Sequence, residues 1–389
     1  MWHDLVIYTP MYVTAFWAVV LLTSPKKKNL PKHFLGLFMV IAFLVYFSHM
    51  LYFKQKFSAY LFMDPVYIFS SLAVYPMYFW YIKLLTVETR VNYKNLWLLF
   101  PSLIFAAAAA VIYLLMSDIE KKEYLNLFLL EKAAFSELSK RAAVQAVIFA
   151  GARLVFSVQV ILILIYGRKL VIRYNQHIAN FYSNLEDKTI VWVKYLLYSF
   201  VVTSVMSLTF NIIGRSVFIE HSIWLLWPSS IFSVLLFFIG LQGYMQNHTV
   251  QDLRRDEEQQ PAKAKILNHE QLKTNLLRLF SEEKIYKQTD LKITNVSASL
   301  QTNRTYISNL INQEFNCSFS EFVNKFRINE AKLIMSDKTY YNYSLDHISE
   351  IAGFGSVSTF IRVFKDYEGI TPGKFREAVA NNLYTAETG

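Results

Sequence analysis

Seven apolar runs of 18 residues or more occupy the first 250 positions of this 389-residue chain. They are Leu5–Leu22, His33–Phe53, Leu61–Leu85, Leu96–Met116, Ala142–Gly167, Ile190–Gly214 and Ser222–Tyr244. At ~1.5 Å per residue each is long enough to cross a hydrocarbon core of ~30 Å. Trp and Tyr gather near the ends of these runs, at Trp2, Tyr52, Trp80, Tyr81, Trp97, Trp192, Trp224 and Tyr244. That is where rings with one polar edge settle at a membrane interface. A buried soluble core imitates one or two such runs, not seven in series. The expected class is therefore all-α, with a polytopic helical membrane bundle of seven spans over 1–245.

Charge gives the bundle a direction. Residues 1–250 hold 21 Lys+Arg against 11 Asp+Glu, whereas 251–389 hold 18 of each, so the net +10 lies wholly in the first part. The first run has Asp4 before it and Lys26, Lys27 and Lys28 after it. A secretory leader has the opposite polarity, so the run is expected to be a retained span with its N-terminus outside. On that orientation the inner loops carry Lys26, Lys27, Lys28, Lys32, Lys83, Arg90, Lys94, Arg168, Lys169, Arg173 and Lys188, the two short outer loops carry Lys54, Lys56 and Arg215, and the long outer loop, 117–141, carries five Lys and Arg offset by five acidic residues. The positive-inside bias then places the C-terminal part in the cytoplasm, below a multi-pass inner membrane. A single cysteine, Cys317, excludes an intramolecular disulfide framework and any multi-cysteine zinc site.

Three features of the first part stand out. Asp64 and Arg153 are ionisable residues inside spans, and such groups default to candidates for function because they are costly there. The pair reads either as an intramembrane signal site or as a structural ion pair. In the long outer loop, Leu127, Leu130, Ala134 and Leu138 fall at helical spacing, as expected of an amphipathic helix, either a cap on the bundle or a lid over it. After the seventh run the composition turns polar over 246–267, with Pro261 expected to break any stalk.

From 268 to 380 the chain reads as short helices with a repeat. Ser297 precedes a turn at Gln301, and Ser349, 52 residues later, precedes a turn at Gly353. Ile307 and Ile311 are matched by Phe360 and Phe364, each 53 later, so the second turn is one residue longer. A small residue before a tight turn is what two closely crossing helices require. The words T-N-R-T-Y-I-S-N-L-I-N at 302–312, C-S-F-S-E-F-V-N-K-F-R-I-N-E-A-K at 317–332, G-F-G-S-V-S-T-F-I-R-V-F-K at 353–365 and G-I-T-P-G-K-F-R at 369–376 resemble the AraC-type (AraC/XylS) DNA-binding domain. The resemblance covers about a quarter of the chain. It implies an all-α double helix-turn-helix over 268–380, followed by a tail at 381–389. Ser297 and Ser349 stand where the family usually has Ala, and Asn316 where Gly often ends the first reading helix.

By that resemblance the second helix of each unit enters a major groove. Thr305, Ser308 and Asn309 then face bases from the first unit, and Ser358, Thr359 and Arg362 from the second. Arg362 suits guanine and Asn309 adenine. Arg304, Tyr306, Lys325, Arg327, Lys365 and Lys374 are the expected phosphate contacts. With no net charge of its own, this domain rests its DNA-binding expectation on motif and geometry. The function expected is a membrane-anchored transcription regulator coupling a membrane or external signal to promoter binding. The alternative is a receptor or transporter whose helix-turn-helix domain docks proteins. Expected partners are promoter DNA and membrane lipid, with RNA polymerase, a second copy of the chain and a small-molecule signal as further candidates. No H-E-x-x-H, Walker-type loop, G-x-S-x-G or kinase signature appears, so neither an enzyme nor a cofactor or metal site is expected.

Overall fold

A computed structural model describes residues 2–25, 30–131, 134–186, 188–190, 222–246, 249–258 and 268–387, with isolated positions between 198 and 209. Among these the chain is helical, apart from one isolated antiparallel bridge between Tyr182 and Lys292. It divides into two compact units, Met1–Ile172 with Ile190–Val250, and Arg173–Thr189 with Gln251–Gly389.

The first unit contains α1 (Trp2–Thr23), α2 (Leu30–Phe53), α3 (Phe57–Thr86), α4 (Phe100–Leu115), α5 (Asp118–Glu123), most of α6 (Lys140–Phe181) and α7 (Leu226–Met245). Five stretches among the described residues are long and apolar enough to cross a membrane: Leu30–Phe53, Phe57–Thr86, Tyr93–Leu115, Lys140–Phe181 and Ile223–Glu258. A shorter apolar helix, Ile7–Thr23, answers to the first expected run. The sixth expected run, Ile190–Gly214, lies almost wholly outside the described residues.

Several large apolar side chains of this unit are exposed, while some polar ones are buried. Leu114 and Phe62 are 86% and 81% exposed, while Asp64 is fully buried. Its carboxylate accepts hydrogen bonds from Tyr60 Oη (3.0 Å), Tyr113 Oη (2.9 Å) and Gln145 Nε2 (3.4 Å), which is how a buried charge is tolerated. Gly240 and Gly243 face Trp17 and Leu35 so closely that a Cβ would collide, which lets α7 close on α1 and α2.

The loop after α4 departs from the single amphipathic helix that its spacing suggests. It is α5, then a π-helical turn (Tyr124–Leu130), then a separate 3-10 turn (Phe135–Glu137). Tyr124, Leu125 and Leu129 are the buried residues, and Leu127 and Leu130 are only partly covered. The wider π turn rotates the apolar face by about a residue, which is the reason the regular period misplaces it. α7 ends at Met245, Gln246 is extended, and α8 (Val250–Glu258) begins afresh. Pro261 lies outside the described residues.

The second unit holds the end of α6, the segment after it, α8, and α9 (His269–Ser281), α10 (Ile293–Ser299), α11 (Arg304–Glu314), α12 (Phe319–Ser336), α13 (Leu345–Ile351), α14 (Val357–Glu368) and α15 (Pro372–Glu387). Local chemistry sets most of these boundaries. Ser318 and Glu321 form a capping box at the start of α12. Asn303, Ser344 and Ser356 cap α11, α13 and α14 through their side chains, and Gly369 ends α14 in a left-handed conformation. Phe280, Phe322 and Phe326 pack with Tyr286 under the first helix pair. Phe354, Phe360 and Phe364 pack with Ile328 and Ile334 under the second.

Candidate nucleic-acid interface

The two helix pairs share one turn, bond for bond. In the first, Leu300, Gln301 and Thr302 donate their N–H groups to the carbonyls of Val296, Ala298 and Ser297. In the second, Ala352, Gly353 and Phe354 donate to Ile348, Glu350 and Ser349. Each donor and acceptor is displaced by 52 positions. The residue at the bend has positive φ in both, 50° at Gln301 and 88° at Gly353. Only the second strictly needs glycine, because a Cβ there would lie 2.7 Å from Lys287 Cα and from Tyr286 O. Gln301 bears the left-handed strain of an ordinary residue, roughly 1–2 kcal/mol.

Ser297 and Ser349 are buried at the two crossings, and each hydroxyl donates three residues back, to Thr294 O (2.9 Å) and Asp346 O (2.7 Å). That bond is why serine is accepted at a position that requires only a small side chain. The extra residue of the second turn is Gly355, between Phe354 and the cap Ser356. Asn316 takes φ 48° after α11, the left-handed conformation expected of a substitute for glycine.

Both reading helices bury one face and present the other. α11 buries Ile307, Leu310 and Ile311, leaving Thr305, Tyr306 and Asn309 exposed and Ser308 half-buried. α14 buries Phe360, Val363 and Phe364, leaving Ser358, Arg362 and Lys365 exposed and Thr359 half-buried. Arg362 lies 3.9 Å from Asp366 one turn on, an exposed pair that holds it only weakly. α12 joins the two helix pairs with 18 residues, or ~27 Å, comparable to the ~34 Å between successive major grooves on one face of DNA.

One expected phosphate contact is not on the surface. Arg327 is 1% exposed. Its Nε donates to Tyr286 O (2.8 Å), and Nη2 donates to Gln288 O (2.7 Å), Thr289 O (3.2 Å) and Ser183 Oγ (3.2 Å). Burial lowers its pKa to about 10, so the guanidinium is still charged at neutral pH. It sits four residues after buried Val323 and four before buried Ala331, so helical period turns it inward whatever its charge. Lys325 and Lys374 remain exposed.

The segment after α6 contributes to this unit in a way that the reading of single motifs does not reveal. Tyr182 bridges to Lys292, and Ser183 N–H donates to Leu291 O (3.0 Å). Ser183 O accepts from Ser320 Oγ (2.9 Å). Tyr182 Oη donates to Asp256 Oδ2 (2.7 Å), which also takes Lys292 Nζ (2.8 Å). Burial works against ionisation of Asp256, but the bonds from Lys292 and Tyr182 outweigh it and hold the carboxyl below its ordinary pKa.

Two further contacts reach the starts of the reading helices. Glu186 Oε2 accepts from Ser356 Oγ (2.9 Å) and Thr359 Oγ1 (3.0 Å) at the first turn of α14. Glu257 Oε1 accepts from Arg304 Nη1 (2.6 Å) at the first residue of α11, and lies 2.9 Å from His177 Nε2. The Arg304 guanidinium also lies over the Phe181 ring, 5.6 Å from its centre. Carboxylates thus stand beside both helix N-termini, held by side chains of the first turn, where the helix dipole favours an anion.

Of the two intramembrane candidates, Asp64 is held as described above, and Arg153 has its guanidinium over Phe149, 4.3 Å from the ring centre. Among the described residues no cluster of three or more His, Cys, Asp or Glu side chains could hold a metal ion.

A family model described as a helix-turn-helix domain matches residues 296–378. The chain is 31% identical over 90 residues to "Uncharacterized HTH-type transcriptional regulator YtdP" of Bacillus subtilis, covering 23% of this chain and 11% of that protein. It is 28% identical over 96 residues to "Probable transcription factor PqrA" of Proteus vulgaris, covering 25% of this chain and 76% of that one. The first relatives it matches are covered over only 11%, 33% and 29% of their own length. Among solved structures, the C-terminal domain of the two-component response regulator yesN from Fusobacterium nucleatum aligns at 25% identity with a TM-score of 0.23, over 28% of this chain and 95% of that one.

Proposed function

The chain ends in a helix-turn-helix domain of the AraC type, and from that premise we propose that the whole protein is a membrane-anchored, sequence-specific DNA-binding regulator of transcription. The single observation that carries this reading is the repeat: two helix pairs with the same turn bonds, each presenting an exposed polar face. In this role α11 and α14 enter successive major grooves. Arg362 is the base-reading side chain of α14, suited to the paired acceptors of guanine, and Asn309 that of α11, suited to adenine. Thr305, Ser308, Ser358 and Thr359 line the same faces, and Tyr306, Lys325, Lys365 and Lys374 take phosphates, as Arg304 does once Glu257 releases it.

The first unit is assigned to the membrane, with the second in the cytoplasm. Its apolar exposed surface and its five long apolar stretches support that placement. A signal at the membrane is coupled to promoter binding through the segment after α6. Glu186 and Glu257 occupy the N-terminal ends of α14 and α11, where DNA phosphates have to approach. A carboxylate there repels the phosphate backbone and takes up the donors it needs, so the docked segment competes with DNA. α6 is one uninterrupted helix from Lys140 to Phe181, so its movement would be carried directly into Tyr182 and Ser183. The relatives matched over this domain are described as transcriptional regulators, and the reading extends that description to this chain.

The test is selection of random duplex DNA by the full chain in lipid nanodiscs, beside the Arg362→Ala variant. An enriched motif whose guanine preference disappears in the variant is the expected result. No enrichment by either protein overturns the reading and favours a protein-docking role for the domain.

A further inference from the structure

The loop between α3 and α4 is clamped from within and turns its positive charge outward. From Lys83 to Ser117 the charged residues are Lys83, Glu88, Arg90 and Lys94, three basic and one acidic. The acid is engaged inside the loop. Glu88 Oε1 lies 2.8 Å from Lys83 Nζ and accepts from Asn95 Nδ2 (2.9 Å), and Lys83 Nζ donates to Asn95 Oδ1 (2.7 Å). Asn95 is buried, so these bonds are shielded from water and hold the loop to the end of α3. Asn92 caps the 3-10 helix Tyr93–Leu99 through its side chain. Arg90 and Lys94 take no part in the clamp. Both are exposed, and among the described residues neither forms an ion pair. In a 3-10 helix, side chains three apart lie one above the other. Asn95 and Leu98 make the covered face, while Lys94 is aligned with Trp97 and Tyr93 with Leu96, all four exposed. The chain runs on directly into α4, where Phe100, Leu103 and Ile104 are also exposed. The stretch Tyr93–Leu115 thus passes from a cation and two amphipathic rings at its start to bare apolar surface.

We propose that this surface is a binding site for an anionic phospholipid. Arg90 and Lys94 take the head group, and the acyl chains lie along Phe100, Leu103 and Ile104. Tyr93 and Trp97 stand at the level between, where rings with one polar edge are favoured. The Lys94 stem lies on the apolar side of that level and its ammonium in the head-group layer. A zwitterionic lipid meets the same apolar surface, but its own cation offsets the attraction of its phosphate. The site therefore selects by head-group charge. The clamp contributes because a loop already ordered loses little freedom on binding. This rests on the membrane placement of the first unit proposed above and adds to it a lipid class and a position.

The full chain is placed in nanodiscs of equal parts phosphatidylglycerol and phosphatidylcholine, with a trace of a photoreactive analogue of one lipid or the other. After illumination, adducts are mapped on peptic peptides by mass spectrometry. Over 90–104, wild type is expected to give about fivefold more adduct with phosphatidylglycerol, the worth of one basic side chain near an anionic surface. Arg90→Gln combined with Lys94→Gln is expected to bring the two yields level there. The phosphatidylcholine yield over 90–104 and the adducts on α1 and α7 should stay unchanged, which shows that the variant is folded. The wild-type comparison needs no variant, so a misfolded mutant does not rescue the proposal. Equal yields in wild type, an excess of the same size on α1 and α7, or an excess that survives the double substitution overturns it. Labelling of 100–104 by both lipids alike removes the site and leaves the membrane placement standing, whereas labelling of the first unit by neither removes both.

Discussion

α11 and α14 have the same turn behind them and the same task in front, yet their first turns are held differently. α11 begins with a cation, Arg304, paired with Glu257 of α8. α14 begins with two hydroxyls, on Ser356 and Thr359, paired with Glu186. Of the expected contact residues on the first helix, Thr305, Tyr306 and Asn309 are exposed, and the hold falls on Arg304, a phosphate contact. On the second helix the hold falls on Thr359, an expected base contact, while Arg362 stays exposed. On the proposed reading, restraint on α11 is mainly a restraint on affinity, and restraint on α14 reaches sequence reading as well.

The largest effect is expected where both helices share one support. Arg327 lies between the two pairs and ties α12 to the carbonyls of Tyr286, Gln288 and Thr289 and to Ser183. Arg327→Ala leaves those buried groups without a donor and is expected to cost about 2–4 kcal/mol. Hydrogen exchange of the full chain should then show α11 and α14 losing protection together. Loss confined to one of them would mean that the two readers are supported separately.

Next in size is the separation of the readers. Arg362→Ala is expected to weaken binding to the selected motif by about 1–3 kcal/mol and to relax one base position. Asn309→Ala should relax a different position, one groove away. Overlapping changes would contradict the assignment of one groove to each helix.

Glu257→Gln sharpens the contrast further. Freed Arg304 becomes an additional phosphate contact, so the slope of log affinity against log salt steepens by about 1. Preference among sequences should stay the same, which distinguishes this change from any at Glu186.

The smallest effect is on pH. The carboxyl of Asp256 lies below its ordinary value, so its contribution is present above the unfolded pKa of ~3.9 and is lost only as pH falls through the lower folded value. Protection of the Ser183 N–H, bonded to Leu291 O, should therefore be flat from pH 8 to 5 after correction for intrinsic exchange. A loss of protection within that window would place control of the docked segment on another group.

Much of the second unit is legible because its signals are local: Ser318 with Glu321, Ser344, Ser356 and Gly369 mark helix ends by chemistry within four residues. Arg327 has the charge of a phosphate contact, but Val323 and Ala331, four residues to either side, place it on the inner face of α12. The docked segment had no such signal. Glu186 and Thr359 are 173 positions apart, and neither its own neighbours nor its own period marks Glu186 as a partner for a helix start. In the first unit, hydropathy located the long helices but not the clamp of Lys83, Glu88 and Asn95, which depends on how the loop folds back on α3.

The claim that the docked segment competes with DNA is tested most directly by one substitution. Full-length wild type and Glu186→Ala are compared in the same nanodiscs for affinity to the selected motif. With the carboxylate gone from Ser356 and Thr359, the variant should bind about three- to tenfold more tightly, roughly 1 kcal/mol, the modest worth of charged bonds made at an exposed site. Equal or weaker binding by a folded variant would contradict the account.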